Sequence, residues 1–156
     1  MSVSQMKTAP LLLDLEHLSL PGKLRKSLKI SLELFPLHTD KKFIHFSFIF
    51  RRNKLLSIGT NQPRNFSPKV LRLANRYGVE GFKKWPAIHS EIDALQKLIG
   101  KVHIGPELDM VNVRLSSSGL LLSKPCERCS PILDAFGIRV TWSTSSGFEN
   151  DTKRAN

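Results

Sequence analysis

Two short runs in the chain hold the residue types that bind metal ions and move protons. One is His89-Ser90-Glu91, and the other is Pro125-Cys126-Glu127-Arg128-Cys129. One imidazole and two thiolates make a three-ligand zinc site that leaves a fourth tetrahedral position for water. Glu91 stands two positions after His89, so on a helix it points elsewhere and can sit beside a metal-bound water without being a ligand. Zinc lowers the pKa of such a water to roughly 7. A carboxylate in that place can take the proton and return it to a substrate.

Other chemistries compete for the same residues. Cys126 and Cys129 are the only cysteines, so there is no disulfide framework. A C-x-x-C pair also suits thiol–disulfide exchange, but the W-C-G-P-C context is missing here and an H-x-E run precedes the pair. A purely structural zinc site needs a fourth protein ligand, which His17, His38, His45 or His103 would have to supply. His45 lies within a strand pattern and reads as packed or surface-exposed rather than as a ligand.

The flanking sequence sets the elements that must carry these groups. Residues 1–22 form an irregular arm ending in the Pro21-Gly22 turn signal. Leu24, Leu28, Leu32 and Phe35 then predict a helix over 23–35, ended by Pro36. The aromatic and β-branched run 43–50 predicts a strand. Arg51-Arg52-Asn53-Lys54 is a polar turn into a second strand at 55–58, which Gly59 breaks. Ser67 and Pro68 cap and open a basic helix over 69–77. Ile88, Ile92, Leu95 and Ile99 share one face of a helix over 88–99, with Gly100 at its C-terminal cap. Strands follow at 110–115 and 120–122, a helix at 126–136 ended by Gly137, and a strand at 138–142. The polar residues 145–156 read as a frayed tail. The order predicts an α/β protein with a mixed sheet flanked by helices, its domain running over 23–148 and a flexible tail over 149–156. Both ligand runs fall near helix N-termini, where free N–H groups favour thiolate over thiol.

With that order, H-x-E followed by P-C-x-x-C resembles the signature of the cytidine deaminase-like superfamily. The resemblance covers roughly 23–148 and implies a three-layer α/β/α fold. By the resemblance, His89, Cys126 and Cys129 hold Zn2+ and Glu91 shuttles protons. Pro125 shapes the approach to the cysteine helix. Asn61, in Ile58-Gly59-Thr60-Asn61, resembles the asparagine that many members use to contact the sugar or base. Members often carry H-A-E, whereas this chain has Ser90 in the middle, a small residue placed beside the substrate. The implied reaction is hydrolytic deamination, cytosine to uracil at C4 or adenine to hypoxanthine at C6.

Charge bears on the substrate. The formal net charge is +11, which attracts polyanions. Arg51, Arg52, Arg64, Lys69, Arg72, Arg76, Lys83 and Lys84 crowd one stretch, and Phe66, Tyr77, Phe82 and Trp85 lie among or beside them. Cations for phosphates and aromatics for bases suit single-stranded or flipped-out nucleic acid. Trp85, just before Pro86 and close to His89, is the candidate for the pocket rim. The expected substrate is cytosine in a polynucleotide, DNA ahead of RNA; the alternative is a deoxycytidylate- or cytidine-type deaminase of free nucleotides. No run is apolar enough to span a bilayer, and the N-terminus lacks a signal-peptide pattern. The expected location is therefore intracellular, in the cytoplasm, nucleoid or nucleus.

Overall fold

The structure, a computed structural model, describes residues 20–38, 42–61, 68–76 and 89–150. In chain order the elements are α1 (Gly22–Leu34), β1 (Phe43–Arg51), β2 (Lys54–Thr60), α2 (Pro68–Arg76), α3 (Ser90–Gln96), β3 (Leu108–Ser116), β4 (Gly119–Leu121), α4 (Ser130–Phe136), β5 (Arg139–Thr144) and β6 (Gly147–Asn150), with a 3-10 turn at Phe35–His38. The strands form one mixed sheet in the order β2-β1-β3-β5-β6, and β4 adds to β3. The β3–β5 pair is parallel and the others are antiparallel. No helix among the described residues is long and apolar enough to cross a membrane.

Alternation along the strands sorts side chains to two faces. On one face Ile44, Phe46, Phe48 and Phe50 of β1 join Val111, Val113 and Leu115 of β3 against Leu28, Leu32 and Phe35 from α1 and the turn after it. On the other, Ile49, Met110, Val140 and Trp142 meet Ile92 and Leu95 of α3 and Ile132 and Leu133 of α4. The result is a three-layer α/β/α architecture, as the element order predicts. β1 is largely apolar because both of its faces are covered, with His45 and Ser47 as its polar interruptions.

Several boundaries differ from the sequence reading, among them the end of α3, which stops at Gln96 with Lys97 rather than Gly100 as its C-cap. Four differences have a clear physical reason. First, α3 begins at Ser90, not at residue 88. His89 keeps an extended backbone (φ −73°, ψ 154°) as its N-cap, and its carbonyl accepts the Asp93 N–H at 2.9 Å. Second, Cys126 and Cys129 precede α4 and do not open it. Pro131 lies in the first turn of α4 and has no N–H to donate to Glu127 O, so the regular helix starts only at Ser130. The 126–129 segment instead closes as a turn, the Ser130 N–H donating to Cys126 O at 3.0 Å.

Third, Gly59 does not break β2. It lies inside the strand, where a Cβ would collide with Ser90 O and Ala94 N of α3. Glycine there lets the helix lie directly on the strand. Fourth, residues 145–150, read as the start of a frayed tail, form a turn and the strand β6. Ser145 and Ser146 turn the chain so that β6 pairs with β5, Ser143 with Phe148 and Trp142 with Glu149. Backbone hydrogen bonding and the half-buried Phe148 hold a strand that its polar composition hides.

Candidate metal centre and pocket

The ends of several elements converge at one edge of the sheet. β3 and β5 run parallel there, and α3 and α4 both begin nearby. Crevices at the carboxyl ends of parallel strands are common ligand sites. The edge opens because β3 changes neighbours: Asp109 to Asn112 pair with β5, whereas Arg114 to Ser116 pair with β4. Serines bridge the fork. Ser123 donates its hydroxyl to Asn112 O at 2.9 Å and accepts the Ser143 N–H at 2.8 Å. Ser143 Oγ accepts the Arg114 N–H at 3.1 Å and donates to Leu121 O at 2.7 Å. These side chains occupy backbone partners' places, so the segment leading to Cys126 leaves the sheet without stranding buried polar groups.

His89, Cys126 and Cys129 come together as the motif reading requires. Their ligand atoms all lie within 4.8 Å of one another and could hold a metal ion. His89 Nδ1 is 3.4 Å from Cys126 Sγ and 3.3 Å from Cys129 Sγ. Both cysteines are free thiols, Cys126 partly exposed and Cys129 buried. Their electrostatics are divided. The hydrogen bond from Cys129, assisted by His89, brings Cys126 down to about 3. Cys129 is pushed well above the ordinary thiol value by that same hydrogen bond and by burial. His89 is raised, chiefly by its hydrogen bond to Cys126. A second thiolate beside the first is costly without a cation between them, and a divalent ion removes that cost. The donor set therefore fits a resident metal.

Glu91 is 2% exposed and lines a cavity of about 210 Å³ with Phe43, His45, Asn61, His89, Arg114, Leu122, Lys124 and Cys126. Its Oε1 accepts a hydrogen bond from Ser90 Oγ at 2.9 Å. Ser90 Oγ in turn lies 2.7 Å from Ser47 Oγ, and Ser47 donates to Asn112 Oδ1 at 2.7 Å. Ser47 and Asn112 are direct partners across β1 and β3, so a buried polar row runs from the sheet to the carboxylate. Ser90, expected beside the substrate, is fully buried and is not among the residues that line the cavity. Pro125 is likewise buried and shapes the chain next to Cys126 without lining the cavity.

Asn61 does line the cavity, and its Oδ1 is buried without a hydrogen-bond partner among the described residues. Its position is fixed by Asp93, which accepts the N–H of the adjacent Thr60 at 3.0 Å. Asp93 also pairs with Lys97 at 3.3 Å and accepts from Gln96 at 2.8 Å.

The expected basic contacts divide differently. Arg51 and Arg52 sit at the β1–β2 turn, the opposite end of β1 from the cavity-lining Phe43 and His45. Arg72 and Arg76 are exposed on α2. Arg64, Lys83, Lys84 and Trp85 lie outside the described residues, as does the Lys69 side chain.

His45, Arg114 and Lys124 enter the site without having been expected there. His45 and Arg114 are paired across β1 and β3, and Lys124 follows β4. The signal that could have found them was alternation: in β1, His45 shares a face with Ser47 and Ile49. Burial pushes the His45 imidazole below its ordinary range, and its Nε2 has no partner among the described residues. No family model matches this chain, and neither a curated protein nor a solved structure is significantly similar to it.

Proposed function

We propose that the chain is a zinc-dependent deaminase that converts cytosine to uracil in a polynucleotide, DNA ahead of RNA. One juxtaposition carries the reading: Glu91 and Asn61 border the same cavity as His89 and Cys126 of the metal-ligand group. Tetrahedral zinc, with Zn–S of about 2.3 Å and Zn–N of about 2.1 Å, separates its ligand atoms by roughly 3.6 Å. The imidazole–thiol distances of 3.4 and 3.3 Å are close to that value. Bound there, zinc supplies a Lewis acid that lowers the pKa of water to about 7.

The chain's own residues do the remainder. Glu91 takes the proton from the attacking water and delivers protons to the ring nitrogen and the departing amine, so cytosine and water become uracil and ammonia. The serine row suits a proton carrier. Ser47 and Ser90 bring two hydroxyl protons to three contacts, from Glu91 to Ser90 to Ser47 to Asn112. Once Glu91 has taken a proton it can donate to Ser90, which then donates to Ser47, so that all three contacts carry one. Asn61 Oδ1 and His45 Nε2, both without partners among the described residues, are available to hold the base and its sugar.

A second reading, a deoxycytidylate-type deaminase, is favoured by the two cations at this one cavity, Arg114 and Lys124, since one phosphate would suffice for them. Deamination of an oligonucleotide, dCMP and cytidine across a salt series separates the two. Uracil in the oligonucleotide, lost at high salt, supports the first; turnover of dCMP alone contradicts it and supports the second.

A further inference from the structure

The mouth of the cavity has an unusual surface. Phe43 at 43% and Leu122 at 58% exposure are the exposed large apolar side chains among the described residues. Both border this cavity. Arg114 lies over the Phe43 ring, 3.9 Å from its centroid. Lys124 stands on the same rim, 5.4 Å from the centre of the Trp142 ring. Among the described residues neither cation has a carboxylate partner, and Glu91 is the only acid lining the cavity.

Two apolar faces and two uncompensated cations therefore surround one opening. The cations exclude an acidic occupant's opposite, a basic peptide, and favour a polyanion. The aromatic face asks for a flat, apolar partner that carries its charge nearby, which describes a nucleobase joined to phosphate. A base in the cavity meets Phe43 and Leu122 as lining residues, and the large exposed share of both side chains is apolar surface that a second, neighbouring base would cover.

We propose that Phe43, Leu122, Arg114 and Lys124 form a subsite for the nucleotide next to the target base in single-stranded DNA. The neighbouring base rests on the Phe43 and Leu122 side, and the linking phosphate lies against Arg114 and Lys124. The assignment rests on the deaminase reading above and places the strand on the β1, β3 and β4 rim, away from the Arg51-Arg52 turn.

Equilibrium binding tests it, with a fluorescent thymine-rich DNA oligonucleotide holding one cytosine and zinc-loaded protein carrying Glu91→Gln to prevent turnover. Phe43→Ala weakens binding roughly tenfold, and Phe43→Trp restores it. Lys124→Ala reduces the slope of log affinity against log salt by about 0.7, the value of one single-strand phosphate contact. Zinc content and melting temperature establish that each variant is folded. Unchanged affinity in Phe43→Ala overturns the subsite. So does an equal loss in Arg52→Ala, which would mean diffuse attraction, or an equal loss of dCMP binding in Phe43→Ala, which would mean no neighbour is read. Uracil formation by the wild type is followed in parallel. Its failure refutes the deaminase reading, while the binding series alone judges the subsite.

Discussion

His45 and Arg114 face each other across the β1–β3 ladder, and both side chains line the cavity that holds Glu91. A cation beside a buried imidazole reinforces what burial begins: both disfavour the protonated ring, burial more strongly. Nearby Glu91 and Cys126 act in the opposite sense, and the net direction is downward.

This sets a pH dependence of stability. In the unfolded chain His45 takes a proton near its ordinary value of 6.5, whereas in the fold it does so only at lower pH. Between those two points the unfolded state holds more protons, so stability falls as pH drops below about 6.5. His45→Gln should flatten that decline. Chemical denaturation of zinc-loaded wild type and variant from pH 7.5 to 5 measures it. His89, raised in the metal-free balance, is common to both proteins and cancels in the difference. Parallel curves would contradict the account.

Gly59 gives a prediction about the helix that carries Glu91. A Cβ at this position meets the α3 backbone at Ser90 O and Ala94 N, and neither strand nor helix can yield without disturbing the site. Gly59→Ala should cost about 1–3 kcal/mol, the usual penalty of overpacking, and lower the melting temperature. A variant as stable as the wild type would mean that α3 does not lie this close to β2.

The three ligand residues differ in burial, and their loss should differ accordingly. Cys129 is fully buried and caps α4, whereas Cys126 is partly exposed. Alanine at either position should reduce bound zinc well below one ion per chain, with Cys129→Ala also lowering stability by more. Metal analysis after gel filtration, followed by thermal melting, provides the comparison. Full zinc occupancy in both variants would remove the metal centre from the account.

Asn61 is positioned from behind. Asp93 accepts the Thr60 N–H at 3.0 Å, so the strand end that presents Asn61 is tied to the helix that presents Glu91. Asn61→Ala should reduce kcat/KM by about ten- to a hundredfold through loss of one buried substrate hydrogen bond, with zinc content intact. An unchanged kcat/KM would take Asn61 out of the site.

The parts legible in the sequence were those encoded locally. H-x-E and P-C-x-x-C each occupy a few residues, and the two runs meet in the fold as their chemistry requires. The strand at β1 was legible because its two covered faces leave a short segment dense in aromatic and β-branched residues, broken only by His45 and Ser47. His45, Arg114 and Lys124 were not, because their meeting depends on strand register. Arg114 faces His45 only if β1 and β3 pair as they do, and nothing near either residue states that pairing. Ser90 was read as a neighbour of the substrate, yet its direction is set by Ser47 on another strand. Likewise β6 was hidden because its hold on β5 is largely backbone hydrogen bonding, to which its polar side chains give no clue.

The most direct test of the central claim is uracil formation from a cytosine-containing DNA oligonucleotide by zinc-loaded protein, wild type beside Glu91→Gln at equal zinc content. The account predicts uracil from the wild type, none after chelation, and a loss of at least about a hundredfold in the variant, the scale of general acid–base catalysis. Equal rates in the two proteins, or no deamination of the oligonucleotide by fully loaded wild type, would contradict it.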